Sequence, residues 1–116
     1  MRRPSAPLRG TIWLADLGRT RGHEQAGSRP ILLVSADIHN LSRAEMVIAL
    51  PLTKTVRRHP YRVLVRPPEG NLRVAGDILC DQIRAISHDR LIRSLGAVAP
   101  AILTTVELVL RALLEA

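Results

Sequence analysis

Short apolar segments joined by short polar loops are the feature of this sequence that most restricts its fold. The strand-like segments are TIWLADL, PILLVS, MVIALPL, YRVLVRP and LRVAGDILCDQIRAI. Strands that follow one another through short loops pair antiparallel, whereas parallel strands would need long crossover helices between them. The order of the segments therefore predicts a mainly β (α+β) domain, with a small antiparallel barrel or curled sheet.

Helical patterns are concentrated near the C-terminal end. The segment PAILTTVELVLRALLEA begins with Pro100 and predicts an amphipathic helix packed on the sheet. Its apolar stripe consists of Ile102, Leu103, Val106, Leu110, Leu113 and Leu114. A shorter helix is predicted in SHDRLIRSLG, with Ser87 as its N-cap and Gly96 as its C-terminal stop. The segment ADIHNLSRAE predicts a short helix or a turn.

The length of 116 residues favours one domain. Residues 1–9 carry Pro4, Pro7 and three arginines without periodicity, so we expect them to form a disordered basic lead-in, and 10–116 a single domain. No apolar run is long enough to span a bilayer, and the N-terminal segment lacks the apolar part of a signal peptide. These features predict a cytoplasmic protein without membrane contact.

The charge balance points to a polyanionic partner. Seventeen basic residues against ten acidic ones give a formal net charge of +7, so nucleic acid is the leading partner class. Four histidines and one cysteine have no metal-site spacing, so neither a metal ion nor another cofactor is predicted. Cys80, the single cysteine, excludes an internal disulfide and is expected to be buried and inert.

A polar loop with two glycines precedes the second strand, in TRGHEQAGSRPILLVS. It brings guanidinium, imidazole, carboxylate and amide groups to the mouth of that strand, on Arg21, His23, Glu24, Gln25 and Arg29. Loops held by rigid strands commonly carry functional residues. The loop therefore predicts a binding or catalytic site, although an arginine at a strand end is also an ordinary surface charge.

Segments along nearly the whole chain resemble the MazF/PemK family of bacterial toxin ribonucleases from toxin–antitoxin operons. These segments are RGTIWLADLG, RGHEQAGSRPILLVS, VIALPLTK, DILCDQIRAIS and RLIRSLGAV. The specific combination is EQxGxRP before an apolar strand, followed later by PLT.

The resemblance implies a homodimeric, SH3-like five-stranded antiparallel barrel with short helices and a C-terminal amphipathic helix. It also implies sequence-specific cleavage of single-stranded RNA without a metal ion, and inhibition by a MazE-like antitoxin with an acidic flexible segment. In the family the Arg of the RP dipeptide and the Thr of the PxT segment carry the chemistry, which implies catalytic roles for Arg29 and Thr53. Lys54 departs from the Ser of many relatives and leaves the phosphate contacts around Thr53 open.

These residue types suit RNA cleavage by attack of the 2'-OH on the adjacent phosphorus, which forms a 2',3'-cyclic phosphate. A guanidinium stays protonated at neutral pH and forms paired hydrogen bonds to phosphate, so Arg29 is predicted to stabilise charge rather than to act as a base. The Thr53 hydroxyl can bind a phosphate oxygen or orient the 2'-OH. From sequence alone, a threonine after Pro51 is more typical of a turn.

The general base is left open. Histidine titrates near neutral pH, but His23 has the pattern of an ordinary exposed loop residue, and Glu24 is expected to orient Arg29 or to contact a base edge. RNA binding is predicted for Arg21, His23, Glu24, Gln25, Lys54, Arg57, Arg58, Tyr61 and Gln82. The amides would read bases, the basic loop would hold the backbone and the tyrosine would stack, although charge runs are often only solvated surface.

Two other functions fit parts of the sequence. A gyrase-poisoning toxin of the CcdB type would share the barrel without catalysis, but such toxins use a C-terminal tryptophan and this chain ends in RALLEA. A non-catalytic nucleic-acid-binding module would need only the positive charge. Specific RNA cutting, gyrase trapping and binding alone distinguish the three functions.

Overall fold

Seven antiparallel strands form one sheet in the computed structural model, which describes residues 6–19, 22, 24 and 26–116. The strands are β1 (Thr11–Asp16), β2 (Ser28–Leu33), β3 (Met46–Thr53), β4 (Arg62–Val65), β5 (Gly76–Leu79), β6 (Arg84–Ser87) and β7 (Leu91–Ala97). The α-helices are α1 (Asp37–Asn40) and α2 (Pro100–Leu114). Three 3-10 turns lie at Glu69–Asn71, Cys80–Gln82 and His88–Arg90. The predicted mainly β fold with short helices and a C-terminal helix is confirmed.

The central strand β3 joins two parts of the sheet. Its residues 46–49 pair with β6, its residues 52–53 pair with β5, and β2 pairs with its other edge. The strand order is β4-β5-β3-β2-β1-β7, with β6 attached to β3 outside this path. Within the described residues no ladder joins β4 to β7, so the sheet is open where the resemblance implies a closed barrel.

The sheet has seven strands instead of the five expected, because one predicted strand segment contains two strands and a segment predicted as a helix forms a strand. The segment LRVAGDILCDQIRAI is split into β5 and β6 by the 3-10 turn Cys80–Gln82. The helix predicted in SHDRLIRSLG is wrong beyond its first turn. Ser87 does cap that turn, with its Oγ accepting the Asp89 N–H at 3.4 Å, but the chain then forms β7. Pairing with β1 outweighs the local helical signal.

The second half of strand β2, residues 31–33, is buried on both faces, as its consecutive apolar residues predict. Leu32 belongs to the core cluster beneath α2, whereas Ile31 and Leu33 belong to a second cluster with Trp13 on the opposite face. The strand begins two residues before the predicted start at Pro30. Arg29 therefore lies within a strand of the sheet, and not on the loop before it.

Helix α2 covers the first core cluster with its apolar stripe. Val106 is fully buried there, and Ile102, Leu103, Leu110 and Leu113 pack around the cluster. Leu114 is 64% exposed, so its predicted place in the stripe is wrong. None of the helices in the described part of the chain has the length and apolar character needed to cross a membrane.

Arg9, the last residue of the predicted lead-in, is bound to the body of the domain. Its N–H donates to the Asp37 carboxylate at 2.7 Å, and its guanidinium donates to the Val34 carbonyl and to the Glu107 carboxylate. The backbone and side chain of this one residue thereby connect the segment after β2 with α1 and α2. Residues 1–5 lie outside the described residues, and the boundary between lead-in and domain stays a prediction.

Candidate functional site

Arg29 is held in a fixed direction by its strand and by one hydrogen bond. It lies opposite Ala15 in the pairing of β1 with β2 and is half-buried. Its Nε donates to the Ala26 carbonyl at 3.0 Å. A guanidinium anchored through Nε keeps its two terminal nitrogens in a fork that suits two oxygens of one phosphate.

Thr53 ends β3 and is 8% exposed. Its Oγ1 accepts the Thr55 N–H at 3.3 Å, which starts the turn into the next loop. Across the sheet it pairs with Asp77, and its carbonyl lies against Gly76, where a Cβ atom would stand only 2.6 Å from the oxygen. Glycine is thus required for the close approach of β5 to the end of β3.

Arg29 and Thr53 line one groove of about 1080 Å³, which we call the main groove. Strands β2 and β3 form one side, and the segment 71–76 and strand β7 form the other. Its cations are Arg29, Lys54, Arg73 and Arg93. Because its described lining contains no carboxylate, the groove has a positive field that suits a polyanion.

A second cavity of about 490 Å³, the side pocket, shares Thr53 with the main groove. It is lined by Thr53, Thr55, Arg57, Arg58, His59, Arg62, Asp81 and Gln82. Its cationic, amide and hydroxyl groups can bind phosphate oxygens and base edges. Imidazole and carboxylate groups are also present, so the pocket contains proton acceptors as well.

The loop between β3 and β4, residues 54–61, is tied to the sheet by a buried carboxylate. Asp77 Oδ2 accepts the Arg57 N–H at 2.8 Å and the Arg62 Nη1 hydrogen at 3.3 Å. The same Nη1 donates to the Thr55 carbonyl at 3.2 Å. The side chains of Asp77 and Arg62 are 2% and 19% exposed, so this ion pair is shielded from solvent.

The structure places most of the predicted site residues in or beside the two cavities. Arg29, Thr53 and Lys54 meet in the main groove, and Arg57, Arg58 and Gln82 meet Thr53 in the side pocket. Tyr61 is 39% exposed, and its ring lies 5.5 Å from that of His59, beside the side pocket. Glu24 is exposed on the loop before β2 and is not among the side chains that line the two cavities. The predictions for Arg21, His23 and Gln25 lie outside the described residues.

Several residues that line the two cavities belong to no sequence motif that would identify them. Arg93 lies in the segment predicted as a helix, and Arg73 lies between a turn and an apolar run. The alternation of YRVLVRP predicts that Arg62 lies on a solvated strand face, yet its side chain turns to Asp77. The alternation itself holds, because Val63 and Val65 are buried.

Cys80 is fully buried, as predicted for a structural cysteine. Burial raises the pKa of its thiol to about 11, and the neighbouring Asp81 carboxylate adds to the increase. The thiol is therefore protonated at neutral pH and does not serve as a nucleophile there. Among the described residues, no three His, Cys, Asp or Glu side chains are grouped so that they could hold one metal ion.

The sequence matches one protein family over most of its length. The model of the PemK-like, MazF-like toxins of type II toxin–antitoxin systems matches residues 8–114. Endoribonuclease MazF9 of Mycobacterium tuberculosis is 33% identical over 98 residues, which are 80% of this chain and 83% of that protein. These matches confirm the resemblance drawn from the sequence segments.

Solved structures have the same fold. A mycobacterial endoribonuclease in complex with its cognate antitoxin has a TM-score of 0.79 and 32% identity, over 95% of this chain and 96% of that one. MazF from Deinococcus radiodurans has a TM-score of 0.83 and 26% identity, over 97% of this chain and 99% of that one. Sequence and fold agree, and the chain belongs to the PemK-like, MazF-like toxins of type II toxin–antitoxin systems.

Proposed function

We propose that the protein is a sequence-specific endoribonuclease toxin that cleaves single-stranded RNA without a metal ion. The observation that carries the proposal is that Arg29 and Thr53, from neighbouring strands, line one groove together with three further cations. The endoribonuclease names of relatives such as MazF9 support the same reaction class. Because the described residues that line the main groove include cations and no carboxylate, the groove favours a phosphate backbone over a neutral or cationic substrate.

The proposed reaction breaks one phosphodiester bond and forms another. The 2'-oxygen attacks the adjacent phosphorus, the bond from phosphorus to the 5'-oxygen breaks, and the products carry a 2',3'-cyclic phosphate and a 5'-OH. Arg29 stabilises the negative charge that develops on the phosphate oxygens, and Thr53 binds a phosphate oxygen or orients the 2'-OH. The 2'-OH loses its proton to a base, and the leaving 5'-oxygen gains one.

His59 and Asp81 enlarge the set of candidates for that base. Both line the side pocket together with Thr53, and imidazole and carboxylate groups accept protons. They add to His23 and Glu24, the acid–base groups that the sequence offers for this role. His23 therefore stays one candidate among several.

Cleavage of single-stranded RNA in EDTA tests the proposal directly. We expect cutting at defined sites, with a 2',3'-cyclic phosphate or its hydrolysed form on one product and a 5'-OH on the other. Mass spectrometry of the fragments identifies both ends. Strict dependence on a divalent ion, or 5'-phosphate products, would refute the mechanism. RNA binding without cutting would favour a binding module, and trapped gyrase complexes would favour a gyrase poison.

The proposed active unit is a homodimer with its RNA groove shared between the two chains. Ile92 on the edge strand β7, and Leu108 and Leu114 on α2, are each more than half exposed. A second copy or another partner would remove such aliphatic surface from water. The resemblance to the MazF/PemK family supports the same assembly.

An antitoxin with an acidic flexible segment is the proposed inhibitor. The mycobacterial relative solved with its cognate antitoxin supports such a partner. A segment of this kind would form charge-assisted contacts with Arg29, Arg57 and Arg58 and would occupy the RNA site. We therefore expect it to compete with RNA and to lose affinity as salt rises. Anisotropy of a labelled uncleavable RNA measures the competition. Simultaneous binding of the RNA and the inhibitor would contradict groove occlusion.

Light scattering of the free toxin tests the proposed homodimer. A single species of 12.8 kDa would contradict it.

A further inference from the structure

Asp77 is a carboxylate in an otherwise apolar, buried strand. The other residues of β5 are Gly76, Ile78 and Leu79, and all four positions are buried. Replacing a buried ion pair by apolar side chains is often neutral or stabilising, because desolvation of the charges offsets their attraction. Stability of the strand alone therefore does not account for an acidic residue at this position.

The contacts of Asp77 are directional and converge on one loop. One carboxylate oxygen accepts the Arg57 N–H and the Arg62 guanidinium, and the guanidinium also holds the Thr55 carbonyl. Together with the Thr55 N–H bound to the Thr53 hydroxyl, three backbone groups of the loop 54–61 have fixed partners. The loop path from the end of β3 is thus determined at 55 and at 57.

The fixed part of the loop carries three of the four basic residues of the side pocket. Arg57, Arg58 and His59 follow the clamped groups and line the pocket next to Thr53. The backbone N–H of Arg57 is itself one of the anchored groups. The direction of the Arg57 side chain therefore depends on the hydrogen bond to Asp77. Preorganised contacts bind more tightly because less conformational freedom is lost on association.

We propose that Asp77 is a positioning residue that sets the path of the loop 54–61 and so presents Arg57 and Arg58 to the RNA. The proposal rests on the proposed function and deepens it, because it names what holds the substrate-binding loop. Asp77 acts through Arg62 and the Arg57 backbone and does not itself need to contact the substrate. Arg62 is its partner in the clamp.

The variant Asp77→Asn separates this role from plain electrostatics. Removing a negative charge beside a cationic pocket would by itself strengthen the binding of a polyanion. The amide oxygen of asparagine can still accept hydrogen bonds, but the charge attraction to Arg62 is lost and the clamp is weakened. This has the opposite effect on binding, which we expect to weaken by about tenfold, the factor that corresponds to losing one charge-assisted hydrogen bond. Fluorescence anisotropy with a single-stranded 2'-fluoro RNA, which lacks the attacking hydroxyl, measures this. Asp89→Asn, an exposed site outside both cavities, is the matched control and should not weaken binding.

Amide hydrogen exchange in the free protein tests the clamp without RNA. In Asp77→Asn the Arg57 amide should exchange faster than in the wild type, while the amides of β2 and the first half of β3 should retain their protection. If Asp77→Asn folds poorly, the double variant Asp77→Leu/Arg62→Met replaces the whole pair by apolar side chains. It should keep the unfolding midpoint of the wild type and still bind RNA more weakly.

The outcomes separate the positioning role from the enzymatic one. Equal or tighter RNA binding by Asp77→Asn, or unchanged exchange of the Arg57 amide, would overturn the positioning role even if the wild type cuts RNA. Weaker binding by Asp77→Asn, with a wild type that binds but never cuts RNA, would overturn the ribonuclease activity and support the loop's role in binding. A wild type that neither binds nor cuts RNA would overturn both.

Discussion

Replacing Arg29 with alanine is expected to slow RNA cleavage by about a hundredfold or more, the typical effect of removing one preorganised donor to a transition state. The guanidinium is held by β2 and by its Nε hydrogen bond to the Ala26 carbonyl, so its fork needs no reorganisation as charge develops. Alanine is compatible with the half-buried strand position, and the domain should stay folded. Cleavage rates and circular dichroism, measured on the same samples, check both parts.

Three comparison variants sharpen this result. Arg43→Ala removes an exposed arginine outside both cavities and should retain the wild-type rate. Arg29→Lys keeps the charge but not the fork, so its rate should fall between those of the wild type and of Arg29→Ala. Thr53→Ala should lose less activity than Arg29→Ala, because it removes a neutral hydroxyl. A normal cleavage rate in Arg29→Ala would show that the assignment of this residue is wrong.

Replacing Gly76 with alanine should damage both stability and catalysis. The new Cβ would lie 2.6 Å from the Thr53 carbonyl oxygen, and a backbone atom paired within the sheet cannot rotate away as a side chain can. Overpacking of this kind costs typically about 1–3 kcal/mol of stability. The displaced atoms belong to Thr53, a proposed catalytic residue, and a shift of about 1 Å in a reacting group can slow a reaction by about a hundredfold.

Urea denaturation and single-turnover cleavage measure the two effects of Gly76→Ala separately. The unfolding midpoint should fall, and at a urea-free condition where the variant is folded its cleavage rate should still be well below that of the wild type. A rate equal to that of the wild type, together with an unchanged midpoint, would mean that β5 can move from β3 without disturbing Thr53.

The parts of the fold that could be predicted from sequence are those with a strong local pattern. The alternation of YRVLVRP gives the buried faces of Val63 and Val65, and the helical spacing after Pro100 gives the burial of Val106. Strand β7 could not be recognised in this way, because its state depends on pairing with β1, which lies more than seventy residues earlier in the chain.

The candidate site shows the same contrast between residues that a local sequence pattern identifies and residues that only the tertiary structure brings together. Arg29 and Thr53 belong to sequence motifs and are predictable from them, although their common groove depends on the pairing of β2 with β3. Arg73 and Arg93 have no motif, and they come to this groove only through the tertiary fold. Asp77 follows a glycine, and such a pair reads as a bend in the sequence. Its value as a buried anchor depends on Arg62, which reaches it across the pairing of β4 with β5.

Thr53 belongs to the walls of both cavities, and this has a geometric consequence for any RNA that occupies them together. A strand that runs from the main groove into the side pocket must pass this one residue. If Gln82 holds bases and the bond is broken near Arg29, as proposed, the two positions are separated by a constant length of RNA backbone. Under the proposed function, each cut would then fall at one fixed distance from the bases that are recognised.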